Sequence, residues 1–511
     1  MCNLSSLERL DFHSCKKLQR LPDLPSRLTY LGVTCRSRKL PSLSHLTRLK
    51  ELKVICCEFI ECIQELPSTP LKNSECSQPR GVEESELPQS LNTPFKLEIL
   101  MVGGCKSIEI LDVSRFIRLR ILHVFNCENL LEVRGLDKLK YLGFLIVGSC
   151  DSVERLELPK LEDLKVVTIQ DCENLVEIQG LDCLKNPNID RCASIERLDL
   201  PKSGSMKILR AAECAKLAEI QGVDSLESLS ISNCATIERL DLPKYGSMKE
   251  LHAKGCVNLA EIQGLDRLEF LEELNISKCA SIETLNLSKS NSPKKLNAGY
   301  CESLVEIQGL GRLEFLEKLD LSGCTSFERL PNLCCFDYLE SLTINGCDKL
   351  QDIQSLERFP SRKTLWIEGC KSLAKLPNLS SFHDLRELFL SNCHELREIP
   401  GLEESISLTC IAISGCSSIE LLPDLSSCTR LKSPIVQDCE KLTELRGLEK
   451  PEQLAELDIS GCKSLKTIPE LSGTLVYQNY VKKLFACGRS IEFASGKSIE
   501  FASDFLDYLD E

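Results

Sequence analysis

The sequence has few aromatic residues, no long apolar run and no nucleotide-binding loop. Aromatics make up 5% of the 511 residues, and Trp366 is the only tryptophan. No apolar stretch approaches the roughly 18 residues of a membrane-spanning helix, and the phosphate-loop pattern G-x-x-x-x-G-K-[ST] does not occur. A core of leucine and isoleucine with so few rings is typical of layers that repeat along one axis.

The net charge and the positions of the histidines argue against several functional classes. The formal net charge is −14, which opposes nucleic-acid phosphates or an anionic membrane as the main partner. The six histidines lie far apart in the sequence, so neither a metal cluster nor an acid–base pair emerges. We therefore expect no enzymatic activity, no cofactor, no metal, no nucleic-acid partner and no membrane partner.

One frame of apolar residues recurs around a cysteine, which we call the anchor. In LEELNISKCASIETLNL (271–287), leucine or isoleucine lies 8, 5 and 3 residues before Cys279 and 3 and 6 residues after it. From Cys105 onward each step between anchors is 20 to 23 residues. The anchor cysteines are Cys15, Cys57, Cys105, Cys127, Cys150, Cys172, Cys192, Cys214, Cys234, Cys256, Cys279, Cys301, Cys324, Cys347, Cys370, Cys393, Cys416, Cys439 and Cys462.

The frame predicts one short strand per unit. Apolar residues at offsets −5 and −3 give a strand with one buried face, so the residues at −4 and −2 point to the opposite face. We call this opposite face the open face. A single unit cannot bury its own leucines, and neighbouring units must cover them. Strands of successive units then pair in parallel about 4.8 Å apart.

The pattern resembles the leucine-rich repeat, L-x-x-L-x-L-x-x-N/C-x-L. That resemblance implies a right-handed α/β leucine-rich-repeat solenoid shaped as a horseshoe, with about 20 repeats. Parallel strands line its concave face, and short loops or 3-10 turns form its convex face. The predicted segments are repeats in 1–63, a Ser/Pro/Glu-rich loop or insertion in 64–95, the main array in 96–471, and a C-terminal cap or frayed tail in 472–511.

The anchor spacing also decides how the cysteines are interpreted. Zinc sites need close Cys and His pairs, which the long regular steps do not supply. Disulfides need side chains turned toward each other, whereas stacked anchors point the same way. We predict a column of buried, reduced thiols. Residues 1–20 carry charges where a secretion signal needs an apolar stretch, so we expect a cytoplasmic or nucleo-cytoplasmic protein.

The cysteine anchor followed by x-x-L-x-x-[IL] and then Pro or Gly has a narrower resemblance. It is similar to the repeat region of plant intracellular disease-resistance receptors, the nucleotide-binding leucine-rich-repeat class with a Toll/interleukin-receptor-type domain. The resemblance covers about 7–63 and 97–471, without the signalling and nucleotide-binding domains. It implies protein recognition in plant innate immunity, with a pathogen effector, a modified host protein or a nucleotide-binding signalling domain as partner. A scaffold or ubiquitin-ligase substrate adaptor is the alternative.

Offset −4, in the middle of the open face, carries the candidate binding site. Most of its positions are polar. Two runs are apolar: Met101 with Ile146, and Trp366 with Phe389, Ala412 and Ile435. Lys363 and Arg386, at offset −7, flank the second run. Exposed apolar patches often mark protein-binding sites, and Trp is a common anchor residue. The other interpretation is the ordinary preference of strands for aromatic and β-branched residues, and both stay open here.

Overall fold

The computed structural model describes most of the repeats. The described residues are 4–41, 43, 45–63, 96–161, 164–201, 206–243, 246–290, 293–330, 338–351, 353, 364–448, 457–468, 491–493 and 498–499. The chain divides into two compact units, Met1–Cys234 and Ala235–Glu511. The predicted segment 64–95 and most of 472–511 lie outside the described residues, and the predicted segment boundaries stay predictions.

The first unit is built on a main sheet in which each strand pairs in parallel with the next. The strand Glu51–Ile55 pairs directly with Ile99–Gly103, so the sheet continues on both sides of the segment 64–95. The main-sheet strands of this unit are Arg9–Asp11, Tyr30–Val33, Glu51–Ile55, Ile99–Gly103, Ile121–Phe125, Phe144–Gly148, Val166–Gln170, Pro187–Asn188, Ile208–Arg210 and Ser228–Ser230.

The second unit has a main sheet of the same parallel kind. Its strands are Glu250–His252, Glu273–Asn275, Lys295–Asn297, Lys318–Asp320, Ser341–Asn345, Thr364–Glu368, Glu387–Ser391, Cys410–Ser414 and Ile435–Gln437. Later in this unit, Thr467–Ile468, Ile491–Phe493 and Ser498–Ile499 form a separate three-stranded sheet. The predicted strand before the anchor and its parallel pairing with the next unit are confirmed in both units.

The strands bury one face, as the alternation in the sequence predicts. In Ile121–Phe125 the buried residues are Leu122 and Val124, at offsets −5 and −3, while the other three stay partly exposed. Leu122 pairs with Leu100 on one side and with Leu145 on the other. Equivalent leucines therefore stack in columns, and each column is covered by the turns next to it.

A second row of short parallel strands follows the anchors, whereas the frame predicted only the strand before each anchor. These strands lie near offset +6 and pair two by two: Ile110–Asp112 with Glu132–Arg134, Arg155–Glu157 with Glu177–Gln179, and Arg197–Asp199 with Glu219–Gln221 in the first unit; Arg239–Asp241 with Glu261–Gln263, and Thr284–Asn286 with Glu306–Gln308 in the second. The +6 residue of the frame is the middle residue of each strand. It is buried in most of them, as Leu111 is, and partly exposed at Ile178 and Ile262.

The α/β class is wrong for the described part of the chain, which contains 3-10 helices but no α-helix. After Glu132–Arg134, only residues 135–143 lead back to the main sheet, and so short a segment does not sustain an α-helix. The predicted 3-10 turns are confirmed. They are Leu136–Lys138, Leu181–Cys183 and Val223–Ser225 in the first unit, and Leu265–Arg267, Leu310–Arg312, Leu379–Ser381, Leu402–Glu404 and Leu425–Ser427 in the second. The horseshoe shape and the repeat count stay predictions.

A residue with positive φ precedes every one of the nineteen anchors. Seven of these residues are glycines and twelve are not, with φ between 48° at Asp438 and 65° at Lys278. Non-glycine residues seldom adopt this left-handed conformation. This conformation lets the hydrogen bonds between neighbouring strands continue through the turn. For example, the N–H of Gly104 donates to the carbonyl of Phe125 at 2.9 Å. The repeating apolar frame does not predict this conformation.

The anchor cysteines come directly after this turn, and their thiols lie in the core. Eighteen of the nineteen anchors are buried, and each cysteine whose side chain is described is free. Cys15 is the exception to the predicted burial; among the described residues, its strand Arg9–Asp11 pairs with Tyr30–Val33 alone. Counting the same frame from Leu31 and Val33 puts the anchor of the next unit at Arg36, but Cys35 is the buried thiol and its N–H donates to Cys57 Sγ at 3.3 Å. Arg36 is exposed.

Candidate protein-binding site

The predicted apolar run lies on four neighbouring strands of the second unit. Trp366 pairs in register with Phe389, Phe389 with Ala412, and Ala412 with Ile435. All four side chains are on the open face, because their strand neighbours Leu365 and Ile367, and the equivalents in the next strands, are buried. Four strands at the usual spacing span about 14 Å. We call this row the Trp366 strip.

Trp366 and Phe389 form the aromatic centre of the strip. Their ring centroids lie 5.6 Å apart with an interplanar angle of 47°, a separation at which aromatic rings attract each other. Even so, Trp366 keeps 46% of its surface exposed, and Ile435 keeps 36%. Contact within the strip therefore covers part of the rings and leaves the rest available to a partner.

Polar groups border the strip where its strands begin. Arg386 is exposed immediately before Glu387–Ser391, and Lys363, the second predicted flanking cation, lies outside the described residues. At offset −6 the Thr364 hydroxyl donates to Glu387 Oε2 at 2.9 Å. Burial raises the pKa of the neighbouring Cys410 thiol, so this thiol stays protonated and neutral at physiological pH.

This arrangement suits the docking of a protein surface. Indole and phenyl faces offer apolar area at low cost in side-chain entropy, and the polar border can orient a partner through hydrogen bonds. The strip carries no acid–base pair. Within the described residues no three His, Cys, Asp or Glu side chains are grouped to hold a metal ion.

Many polar residues at offset −4 have a structural role instead. The side-chain oxygen of Asn275 accepts hydrogen bonds from the Ser277 N–H at 3.1 Å and the Ser277 hydroxyl at 2.8 Å. Asp320 does the same with Ser322, at 2.9 Å and 2.6 Å. Such bonds shape the turn toward the anchor. They explain why the −4 column contains so many Asn and Asp residues, and they remove these residues from the list of binding candidates.

Residues at offset −6 lie on the same face as those at offset −4 and were not among the predicted site residues. Offset −6 adds Thr364, Glu387 and Cys410 to the surroundings of the Trp366 strip. In the first unit it supplies two exposed apolar residues, Phe144 and Val166. The period-2 alternation of a strand would have identified these residues, because −6, −4 and −2 all point the same way.

Comparison with known proteins supports the leucine-rich-repeat prediction for part of the chain. Residues 190–304 and 335–443 match the family model described as the BspA type leucine rich repeat region, in six copies. No curated protein matches the chain in sequence. No helix in the described ranges is both long enough and apolar enough to cross a membrane.

The solved structures that are similar to the chain include two bacterial proteins and a plant receptor. A leucine-rich-repeat protein of Leptospira interrogans is 16% identical, with 80% of this chain and 98% of that one covered and a TM-score of 0.32. The functional domain of InlJ from Listeria monocytogenes, which includes a cysteine ladder, is 15% identical over 74% of this chain and 71% of that one, with a TM-score of 0.29. The plant peptide hormone receptor RGFR1, in complex with RGF2, is 13% identical over 94% and 97%, with a TM-score of 0.28.

The matched family model, the parallel strands and the stacked anchors lead to one assignment. The family model is of the BspA type and carries nothing specific to plant immune receptors. The described residues form a parallel β-solenoid in each unit, an architecture that commonly serves as a protein-interaction scaffold, and residues 190–304 and 335–443 are similar to the BspA type leucine rich repeat region.

Proposed function

We propose that the chain is a protein-recognition module and that the Trp366 strip is its binding site. The observation that carries this proposal is the registered pair of Trp366 and Phe389, which leaves the only tryptophan of the sequence nearly half exposed on a strand face. Exposed aromatic anchors on a rigid scaffold are a common source of binding energy at protein interfaces. The bordering Arg386 offers a charged contact at the rim.

The proposal extends to plant innate immunity. In this view the module binds a pathogen effector, or a host protein that an effector has modified, and regulates a nucleotide-binding signalling domain. The support is the cysteine-anchored repeat style, which resembles that of plant disease-resistance receptors. A cytoplasmic or nucleo-cytoplasmic location is part of the same proposal and is supported by the free, buried thiols.

The alternative is a scaffold or a substrate adaptor of a ubiquitin ligase. The same strip would then hold a substrate, and a ligase core subunit would bind elsewhere on the chain. The two functions differ in the second partner, a signalling domain in one case and a ligase subunit in the other. Binding of purified candidates of each kind to the full chain separates them.

The test uses the full chain and a double variant, Trp366→Ser with Phe389→Ser. Both side chains lie on the open face, so the variant should fold, with an unchanged circular dichroism spectrum. We expect the wild type to bind a member of a panel of purified effectors, host targets and signalling domains, and the variant to lose at least tenfold in affinity. Tyr338→Ser is the matched control, because Tyr338 is an aromatic residue 58% exposed outside the strip. Equal affinity of the double variant and the wild type would reject the strip as the site.

A further inference from the structure

A second apolar surface lies on the open face of the first unit. It covers four neighbouring strands, Ile99–Gly103, Ile121–Phe125, Phe144–Gly148 and Val166–Gln170, which pair in register. Phe144 is 40% exposed and Val166 36% exposed. The side chains that form this surface are Ile99, Met101, Ile121, His123, Phe125, Phe144, Ile146 and Val166. We call it the Phe144 surface.

The histidine in this surface behaves as an apolar ring. His123 lies against Phe125, with ring centroids 4.7 Å apart, and burial lowers its pKa, so the imidazole is neutral at physiological pH. The Phe125 ring in turn lies over the backbone of Gly103, where a Cβ would be 2.2 Å from the ring. Gly103 therefore leaves the space that lets the aromatic ring lie flat on the sheet.

Unpaired positive charge borders the Phe144 surface at the side where its strands begin. Five exposed cations lie there at offsets −7, −9 and −10, and none forms an ion pair with any residue in the described ranges. They are Lys96, Arg118, Arg120, Lys140 and Lys165. The one carboxylate described at offset −7, Glu98, is 3.9 Å from Lys50. Glu162 and Asp163 lie outside the described residues.

The opposite border, after the strands, has the reverse character. Glu128 is paired with Lys106 at 2.7 Å, and Asp171 is paired with Arg191. Asp151 and Glu173 carry further negative charge. Among the described residues, a partner placed on the Phe144 surface therefore meets unpaired positive charge at one border and paired or negative charge at the other, and this asymmetry favours one charge and one orientation of the partner.

We propose that the Phe144 surface binds a segment of a partner protein that is rich in apolar side chains and carries acidic residues. The apolar side chains lie on the strands from Ile99–Gly103 to Val166–Gln170, and the carboxylates lie over Arg120, Lys165 and their neighbouring cations. The surface is separate from the Trp366 strip, so the two proposals stand or fall independently. The overall charge of −14 makes this local excess of cations a selective feature, because acidic segments are repelled from most of the chain.

The test measures binding of a fluorescein-labelled synthetic peptide in which Asp alternates with Phe and Leu. Matched peptides have Asn or Lys in place of Asp. Fluorescence anisotropy with the full chain should show binding of the Asp peptide, at least tenfold weaker binding of the Asn peptide, and weakening of the Asp complex as salt is added. Equal binding of the Asp and Lys peptides, or no binding of the Asp peptide, would overturn the proposal.

Two protein variants and one control locate the site. Arg120→Glu with Lys165→Glu changes only exposed side chains and should reverse the preference, so that the Lys peptide binds better than the Asp peptide. Phe144→Ser with Val166→Ser should lower affinity for the Asp peptide at least tenfold. Trp366→Ser with Phe389→Ser, in the other unit, should bind like the wild type. If the Phe144 variant fails to fold, the charge-reversal variant alone decides: an unchanged peptide preference refutes the proposed surface.

Discussion

The thiol of Cys301 donates a hydrogen bond to the backbone carbonyl of Ile276, 3.1 Å away in the preceding turn. The same relation, from an anchor to the carbonyl three residues before the preceding anchor, recurs at Cys279 with Ala253 and at Cys347 with Leu321, each at 3.1 Å. Each of these three thiols is buried in its own turn and donates to a carbonyl of the previous one. The cysteine column therefore joins consecutive turns without covalent bonds.

We predict that Cys301→Ala lowers the free energy of unfolding by about 1–2 kcal/mol, since it removes a buried sulfur and its hydrogen bond. Urea denaturation followed by circular dichroism measures the change. Cys15→Ala is the matched control, because Cys15 holds the same frame position but is exposed, and it should leave the urea midpoint unchanged. Equal effects of the two substitutions would contradict the role of the buried column.

Stability should also fall at alkaline pH. Burial raises the pKa of the Cys301 thiol from its ordinary value of 9.0 to about 11. The folded protein then holds this proton to higher pH than the unfolded chain does, so the thiol's contribution is complete below pH 9.0 and is lost as the pH rises to about 11. Urea midpoints measured across this range should fall more steeply with pH in the wild type than in Cys301→Ala. Parallel profiles of the wild type and Cys301→Ala would show that the Cys301 thiol does not cause the loss of stability.

Gly401→Ala should destabilise the second unit. Gly401 has φ of 80° at the start of Leu402–Glu404, and a Cβ there would lie 2.0 Å from Asn378 Oδ1 and 2.4 Å from the Ser380 nitrogen. The left-handed conformation alone costs about 1–2 kcal/mol for alanine, and the collision adds to that. Gly148→Ala is the control, since its nearest contact would be at 3.7 Å and its φ is not positive. Thermal melting compares the two, and a melting temperature for Gly401→Ala equal to that of the control would disprove the strain.

Ser405→Ala should stabilise the protein. The Ser405 hydroxyl is buried and has no hydrogen-bond partner among the residues that the structure describes. Its neighbours at the equivalent ends of the adjacent 3-10 helices are Phe382 and Cys428, so the site is apolar. Removing an unsatisfied hydroxyl should raise the free energy of unfolding by about 1 kcal/mol. The control Ser381→Ala removes a hydroxyl that is bonded to the Asn378 carbonyl at 3.1 Å and should give no gain in the urea midpoint.

Asn275→Ala should cost about 1 kcal/mol of stability, because the Ser277 N–H and hydroxyl lose their acceptor. Asn275→Asp keeps a side-chain acceptor in place, as Asp320 does in its own turn. Its free energy of unfolding should stay close to that of the wild type. Chemical denaturation of both variants checks the prediction. A neutral alanine variant would mean that the −4 side chain does not shape the turn.

The repeat could be predicted from the sequence because its information is local and is repeated. Leucines at −5 and −3 predict which strand face is buried, and Leu100, Leu122 and Leu145 stack as that pattern requires. The positions of Trp366 and Phe389 on one open face follow from the same counting. Every unit follows the same spacing, so a wrong assignment in one unit does not change the strand positions predicted for the others.

The turn before each anchor could not be predicted in the same way. Residues as different as Arg191, Glu213 and Tyr300 adopt positive φ there, although nothing in their side chains favours it. The conformation is imposed by the ladder of neighbouring turns and by the buried thiol that follows. The α/β class was wrong for a different reason: the return segments in the described residues are too short for an α-helix, and they form the predicted 3-10 turns and loops instead.

The sequence by itself determined the period, the buried face and the column of thiols, since each depends only on which residue occupies which offset. Only the tertiary structure decided the second row of strands, the exposure of Cys15 and the place where the cations around Phe144 meet an apolar face. These features depend on which turns lie side by side, and residues more than twenty positions apart become neighbours only when the turns stack.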